Sequence, residues 1–109
     1  MKLKALVGVL ACLPAFAAMV PESVAARKAY WDAKVNSEIP VGTRVAEVRD
    51  WARRLAPHVP DTSAQDFSFE LESVPVNVIG CNRYSVLLHV VAKDGVVASE
   101  TVLTRGHCL

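Results

Sequence analysis

Apolar residues recur along this chain with two different spacings, one helical and one alternating. Over residues 22–36, Val24, Trp31 and Val35 fall near one stripe while Arg27, Lys28 and Lys34 point largely elsewhere. That spacing, in a stretch rich in alanine, lysine and arginine, predicts a helix with Ser23 as its N-cap. Glu38-Ile39-Pro40 ends it, because the residue before a proline is pushed out of the helical region. A second helix is predicted after the Val41-Gly42-Thr43 turn, where Thr43 is the capping residue and Val45, Val48, Trp51, Ala52 and Leu55 follow at helical spacing. Arg44, Glu47, Arg49, Asp50, Arg53 and Arg54 lie opposite, with Asp50 and Arg54 set for an i, i+4 pair worth ~0.3 kcal/mol. Pro57 and Pro60 stop this helix and open a loop through Asp61-Thr62-Ser63.

From Asp66 the period is two. Phe67, Phe69 and Leu71 alternate with Ser68, Glu70 and Glu72, which predicts a strand with one buried and one wet face. Val74 to Ile79 is apolar but carries Pro75, which suits a loop or an edge segment. Tyr84 to Ala92 reads as a long strand, Asp94-Gly95 as a two-residue hairpin turn, and Val96 to Thr104 as the returning strand.

If Asp94 and Gly95 form the loop, Lys93 faces Val96 and every facing pair sums to 189, as Cys81 and Cys108 do. The turn therefore sets these cysteines opposite each other, with Cα atoms ~4.5–5.5 Å apart, compatible with a disulfide. A bulge at Gly80 or Gly106 would slip the register by one. The same register puts Tyr84, Val86, Leu88, Val90 and Ala92 with Leu103 and Val97 on the face that takes the helices. Leu87 and Val91 fall on the other face with Arg83, Ser85, His89, Lys93, Glu100 and Thr104, and there His89 faces Glu100.

The first residues have a different pattern. Met1-Lys2-Leu3-Lys4 is cationic, Ala5 to Leu13 is an uncharged run of nine, and Pro14 leads into Ala15-Phe16-Ala17-Ala18. A basic start, an apolar middle and an A-x-A site in this order read as a secretory signal cleaved between Ala17 and Ala18. The run is too short to span a bilayer, and no later one is longer, so no transmembrane segment is expected in the mature chain. Val9-Leu10-Ala11-Cys12 faintly resembles a lipobox, which keeps a lipid anchor at Cys12 as an alternative. Cleavage leaves residues 18–109 as a single α+β domain, with ten basic residues against eleven acidic ones and two of the three cysteines. An even cysteine count in an exported chain reads as one disulfide.

With 109 residues, 52% apolar and 21% charged, the chain has room for one domain and is too apolar for disorder. A formal charge of +1 argues against a nucleic-acid binder. The candidate chemistry is sparse. Three histidines are present, His58, His89 and His107. His89 beside Glu100 would be an oriented base, but no nucleophile motif accompanies it, so catalysis is not expected. Cys81, His107 and Cys108 are soft ligand types without metal-site spacing, and a disulfide uses up both thiols. Arg44, Arg49, Arg53 and Arg54 make a basic stripe interspersed with acids, and Trp31 and Trp51 suit a core. No motif calls for a cofactor or a metal.

Pro40-Val41-Gly42-Thr43 entering a helix with Val45 and Val48, behind an export signal and before a hairpin turning at Asp94-Gly95, resembles the SmpA/OmlA (BamE-like) group of small bacterial envelope proteins. The likeness spans about residues 38–104, and the β-lactamase-inhibitor-protein fold is similar. It implies two helices on a three-stranded antiparallel sheet (ααβββ) and an envelope location, and carries over no functional residues. The function expected is a small exported, non-enzymatic module, periplasmic or secreted, that binds a protein partner through the mixed hairpin face or a sheet edge. The alternatives are an inhibitor or immunity protein acting on a secreted enzyme or toxin, a small hydrolase using His89, and a lipid-anchored assembly component.

Overall fold

A computed structural model describes residues 20–55 and 61–109, in the order α1 (Glu22–Glu38), α2 (Val45–Leu55), β1 (Asp66–Val78), β2 (Cys81–Lys93) and β3 (Val96–Cys108). The strands form one antiparallel sheet, β1-β2-β3. This is the α+β, ααβββ architecture that the two spacings predict. The signal with its Ala17–Ala18 site, Cys12, Pro57, His58 and Pro60 lie outside the described residues.

Both helices meet the sheet on one face. α1 lies against all three strands, and the core joins Val24, Trp31, Val35, Ile39, Val48, Trp51 and Ala52 to Phe67, Phe69, Leu71, Val74, Val86, Leu88, Val90, Val97 and Val102. Leu55 is left 38% exposed at the end of α2, off the stripe it was expected to complete. The start of α1 also differs. Pro21 is its N-cap, without a side-chain bond, and its carbonyl accepts the Val24 and Ala25 N–H groups, so Ser23 lies inside the helix. A proline has no N–H to leave unpaired at a helix start, which makes it a natural entry point.

Gly42 and Thr43 work through their main chains. Gly42 N–H donates to Val97 O at 2.9 Å, Val97 N–H to Thr43 O at 2.8 Å, and Val45 N–H to Gly95 O at 2.9 Å. This segment covers the free edge of β3 beside the hairpin turn and ties the start of α2 to it. The turn has the expected chemistry, with positive φ at Asp94 (55°) and Gly95 (80°).

The facing pairs sum to 189 at Lys93↔Val96, Ala92↔Val97 and Cys81↔Cys108, but to 190 from Val91↔Ser99 through Arg83↔His107. Ala98 on β3 and Asn82 on β2 are unpaired, so one bulge opens the slip and the other closes it. Tyr84 thereby faces Gly106, where an added Cβ would meet its ring at 3.0 Å. The 189 register would put Arg105 there instead. The slip reverses three assignments. Leu103 faces Leu87 on the outer face, while Glu100 and Thr104 turn to the helix face opposite Val90 and Val86. β1 has its own bulge at Leu71, so Glu72 faces Val86 and turns toward α1 rather than water. β1 continues through Pro75 as an edge strand, and β3 runs on to Cys108.

Candidate functional site

The outer face of the sheet, away from the helices, gathers polar side chains from all three strands. His89 faces Thr101 rather than Glu100, and its Nε2 meets Asp66 Oδ1 at 2.5 Å. The predicted His89–Glu100 pair therefore does not exist, because the bulge at Ala98 sends the glutamate to the other face.

Near the disulfide, a second cluster centres on Ser85, which is only 4% exposed. Its hydroxyl lies 3.0 Å from Glu70 Oε2 and 2.8 Å from His107 Nε2, with Arg83 Nη1 at 3.4 Å. Arg83 Nη1 also stands 3.8 Å from Glu70 Oε2. A hydroxyl has one proton and a carboxylate only accepts, so Ser85 donates to Glu70 and His107 Nε2 donates to Ser85. The order is acid–hydroxyl–imidazole. A nucleophilic relay needs the imidazole between the other two, with the hydroxyl open to a substrate. The cluster ties three neighbouring strands together, Glu70 from β1, Ser85 from β2 and His107 from β3. The residue pattern carried one sign of it: Ser85 is the single small hydroxyl in the apolar run Tyr84–Ala92. Its partner His107 could not be placed without knowing the slip.

Between these clusters lie the apolar members of the face. Leu103 is 43% exposed opposite half-buried Leu87, and half-buried Val91 lies two rows away. Arg105 is the next outward residue on β3.

Cys81 and Cys108 are paired as a disulfide with Cα atoms 4.0 Å apart. Their sulfurs are therefore not free ligands, and no group of three or more His, Cys, Asp or Glu side chains among the described residues could hold a metal ion. Trp31 and Trp51 fill the core edge-to-face at 6.2 Å, and each indole N–H donates to a carboxylate at 2.8 Å, Trp31 to Glu72 and Trp51 to Glu38. Burial works against ionising Glu72, but the Trp31 bond and the Arg27 guanidinium outweigh it and hold the carboxyl below its usual range. The Trp51 bond, then Lys34, does the same for Glu38.

Glu100 is the contrast. Both carboxylate oxygens are buried without a hydrogen-bond partner, and burial pushes the group up to about 7.

The arginine stripe of α2 is largely paired. Arg44 binds Glu47 at 2.9 Å, Arg53 and Arg49 reach Asp50 at 3.7 and 3.9 Å, and Arg54 contacts the Asp50 carbonyl at 3.4 Å instead of its carboxylate. The expected Asp50–Arg54 ion pair is thus replaced by contacts with closer neighbours. None of the described helices is long and apolar enough to cross a membrane. No family model matches the chain, and no curated protein or solved structure matches it.

Proposed function

We propose that this chain is a small exported, non-enzymatic module of the cell envelope that binds a protein partner through the outer face of its sheet. The observation that carries this reading is the sidedness of the sheet. Both helices cover one face, while the other keeps Leu103 43% exposed opposite Leu87, between the polar rows Ser68–His89–Thr101 and Ser73–Ser85–Arg105. An apolar centre within a polar rim is the anatomy of a protein-binding patch.

The face is favoured over a sheet edge because both edge strands carry devices that discourage strand addition. β1 has a bulge at Leu71 and a proline at 75, and β3 has a bulge at Ala98 and the inward-turned Glu100. Bulges, edge prolines and inward charges blunt an edge. The disulfide and the A-x-A leader pattern support an oxidising compartment, periplasmic or secreted. The resemblance to the SmpA/OmlA group supports the envelope.

Intact mass and affinity capture test the reading together. The recovered chain is expected to begin at Ala18 with its two cysteines oxidised. A start at Cys12 with an added lipid mass would replace the cleaved form by the anchored one. Wild-type protein is expected to retain a partner from an envelope extract that Leu103→Asp releases while its circular dichroism is unchanged. Identical capture by both proteins would overturn the outer-face reading. A hydrolase or toxin as the retained partner would turn it toward an inhibitor or immunity role.

A further inference from the structure

The last strand runs past the core. Val102 is the final buried apolar residue of β3, and Arg105 to Leu109 add none. β1 and β2 are better anchored at this end, where Val74 is buried and Val76 and Tyr84 pack against the core. The Tyr84 ring lies over Gly106, which has no side chain of its own to bury.

Four things hold the end of β3. They are its ladder with β2 from Ser85↔Arg105 to Cys81↔Cys108, the His107 Nε2 bond to Ser85 at 2.8 Å, the Leu109 N–H bond to Gly80 O at 2.7 Å, and the disulfide. The ladder is interrupted here, because Asn82 is unpaired. The opposite end of the same ribbon needs no such clasp: Val97 is 1% exposed, and Gly42 and Thr43 bond to its main chain. A strand end fixed by hydrogen bonds without apolar burial opposes its own chain entropy weakly and opens first.

The bond itself is open to a reagent. Cys108 is exposed and Cys81 half-buried. Both line an open cavity of about 560 Å³, with Val76, Asn77, Asn82 and His107 also on its wall.

We propose that the Cys81–Cys108 bond is a redox latch on the C-terminal segment, opened by a dithiol while the helices and the rest of the sheet stay folded. A thiolate of the dithiol attacks Sγ of Cys108, the S–S bond breaks, and Cys81 leaves as a thiolate that takes up a proton. The second thiol of the reagent loses its proton and attacks the mixed disulfide, which releases Cys108 to be protonated in turn. The chain gains two electrons and two protons, and the dithiol becomes a disulfide. Arg105 to Leu109 then detach, His107 leaves Ser85, and the main-chain groups of β2 that faced them meet water. The bond from Ser85 to Glu70 lies on the β1 side and stays. The latch does not rest on the outer-face reading, which Leu103→Asp tests.

Dithiothreitol is the probe, added to the oxidised full-length chain without denaturant. Two new thiols are expected, at a rate that changes less than about twofold as urea is raised below the unfolding transition, because attack on a folded chain needs no global opening. On reduction, backbone order parameters over residues 105–109 are expected to fall from about 0.85 to below about 0.6, while those of Leu88, Val90 and Val102 stay near 0.85. Cys81→Ser combined with Cys108→Ser is expected to show the same loose segment with no reagent, and reduced wild type gives the reading by itself where that variant does not fold. Reduction that proceeds only as urea unfolds the chain overturns the proposal, as does a segment that keeps its order once reduced. Loss of order at Leu88, Val90 and Val102 together with the segment also overturns it, and makes the bond a staple of the whole fold.

Discussion

Glu72 and Glu100 both turn toward the helices, and only Glu72 has partners there. Trp31 and Arg27 each donate to Glu72 Oε1 at 2.8 Å, and the carboxyl is held below 4.5. A group with a lowered value adds stability above the unfolded-state range and loses it as pH falls through the folded value. Glu72→Ala is therefore expected to cost about 1–3 kcal/mol in urea denaturation at neutral pH, chiefly because the Trp31 N–H loses its acceptor. Part of that deficit should disappear in acid, where the wild-type carboxyl is protonated too. Glu100 has the opposite sign. Its value is raised from 4.5 to about 7 by burial, so its contribution is complete below 4.5 and is lost as pH rises through about 7. Glu100→Gln is expected to flatten the fall in melting temperature between those limits, and an unchanged slope would show that another group sets it. Neither role was legible from alternation alone, since each glutamate reached the helix face through a bulge that no local residue pattern announces.

Among the elements, the hairpin of β2 and β3 was the most legible and also held the largest error. Asp94-Gly95 fixes one end because two consecutive positive-φ residues suit almost no other local structure. The cysteines fix the other, 27 residues apart and facing. Reduction, or replacement of both cysteines by serine, is expected to cost about 3 kcal/mol in thermal or denaturant unfolding, and less to the extent that the turn already restricts the unfolded chain. The helices were legible through Trp31, Val35, Val48 and Trp51, whose stripes meet in the core. Their caps were less so: Pro21 competes with Ser23, and the main chain of Gly42–Thr43 is taken up by β3.

At the level of the whole molecule, the two-layer arrangement follows from strands that are apolar on one face and from helices that carry one apolar stripe each. The outer face was foreseen as mixed, and its polar members Arg83, Ser85 and His89 are where expected. Its exposed leucine was not, because equal slips in two strands cancel at the ends where sequence reasoning had its anchors. Between Ala92 and Cys81 on β2, and between Val97 and Cys108 on β3, each strand has ten residues, one of them unpaired. Both clasps would stay closed if the two loose residues were drawn into line and the ribbon ratcheted by one step. That straight alignment would carry Glu100 out beside His89 and Leu103 inward. Ionising Glu100 penalises the observed alignment alone, so raising the pH favours the other one. Cross-strand Hα–Hα contacts, which are close only at pairs that do not exchange hydrogen bonds, are expected in nuclear magnetic resonance spectra to show Val90–Glu100 at low pH and a growing share of Val90–Ser99 above neutrality. Deleting Asn82 and Ala98 together leaves one alignment for the ribbon, which then keeps the same neighbours at every pH.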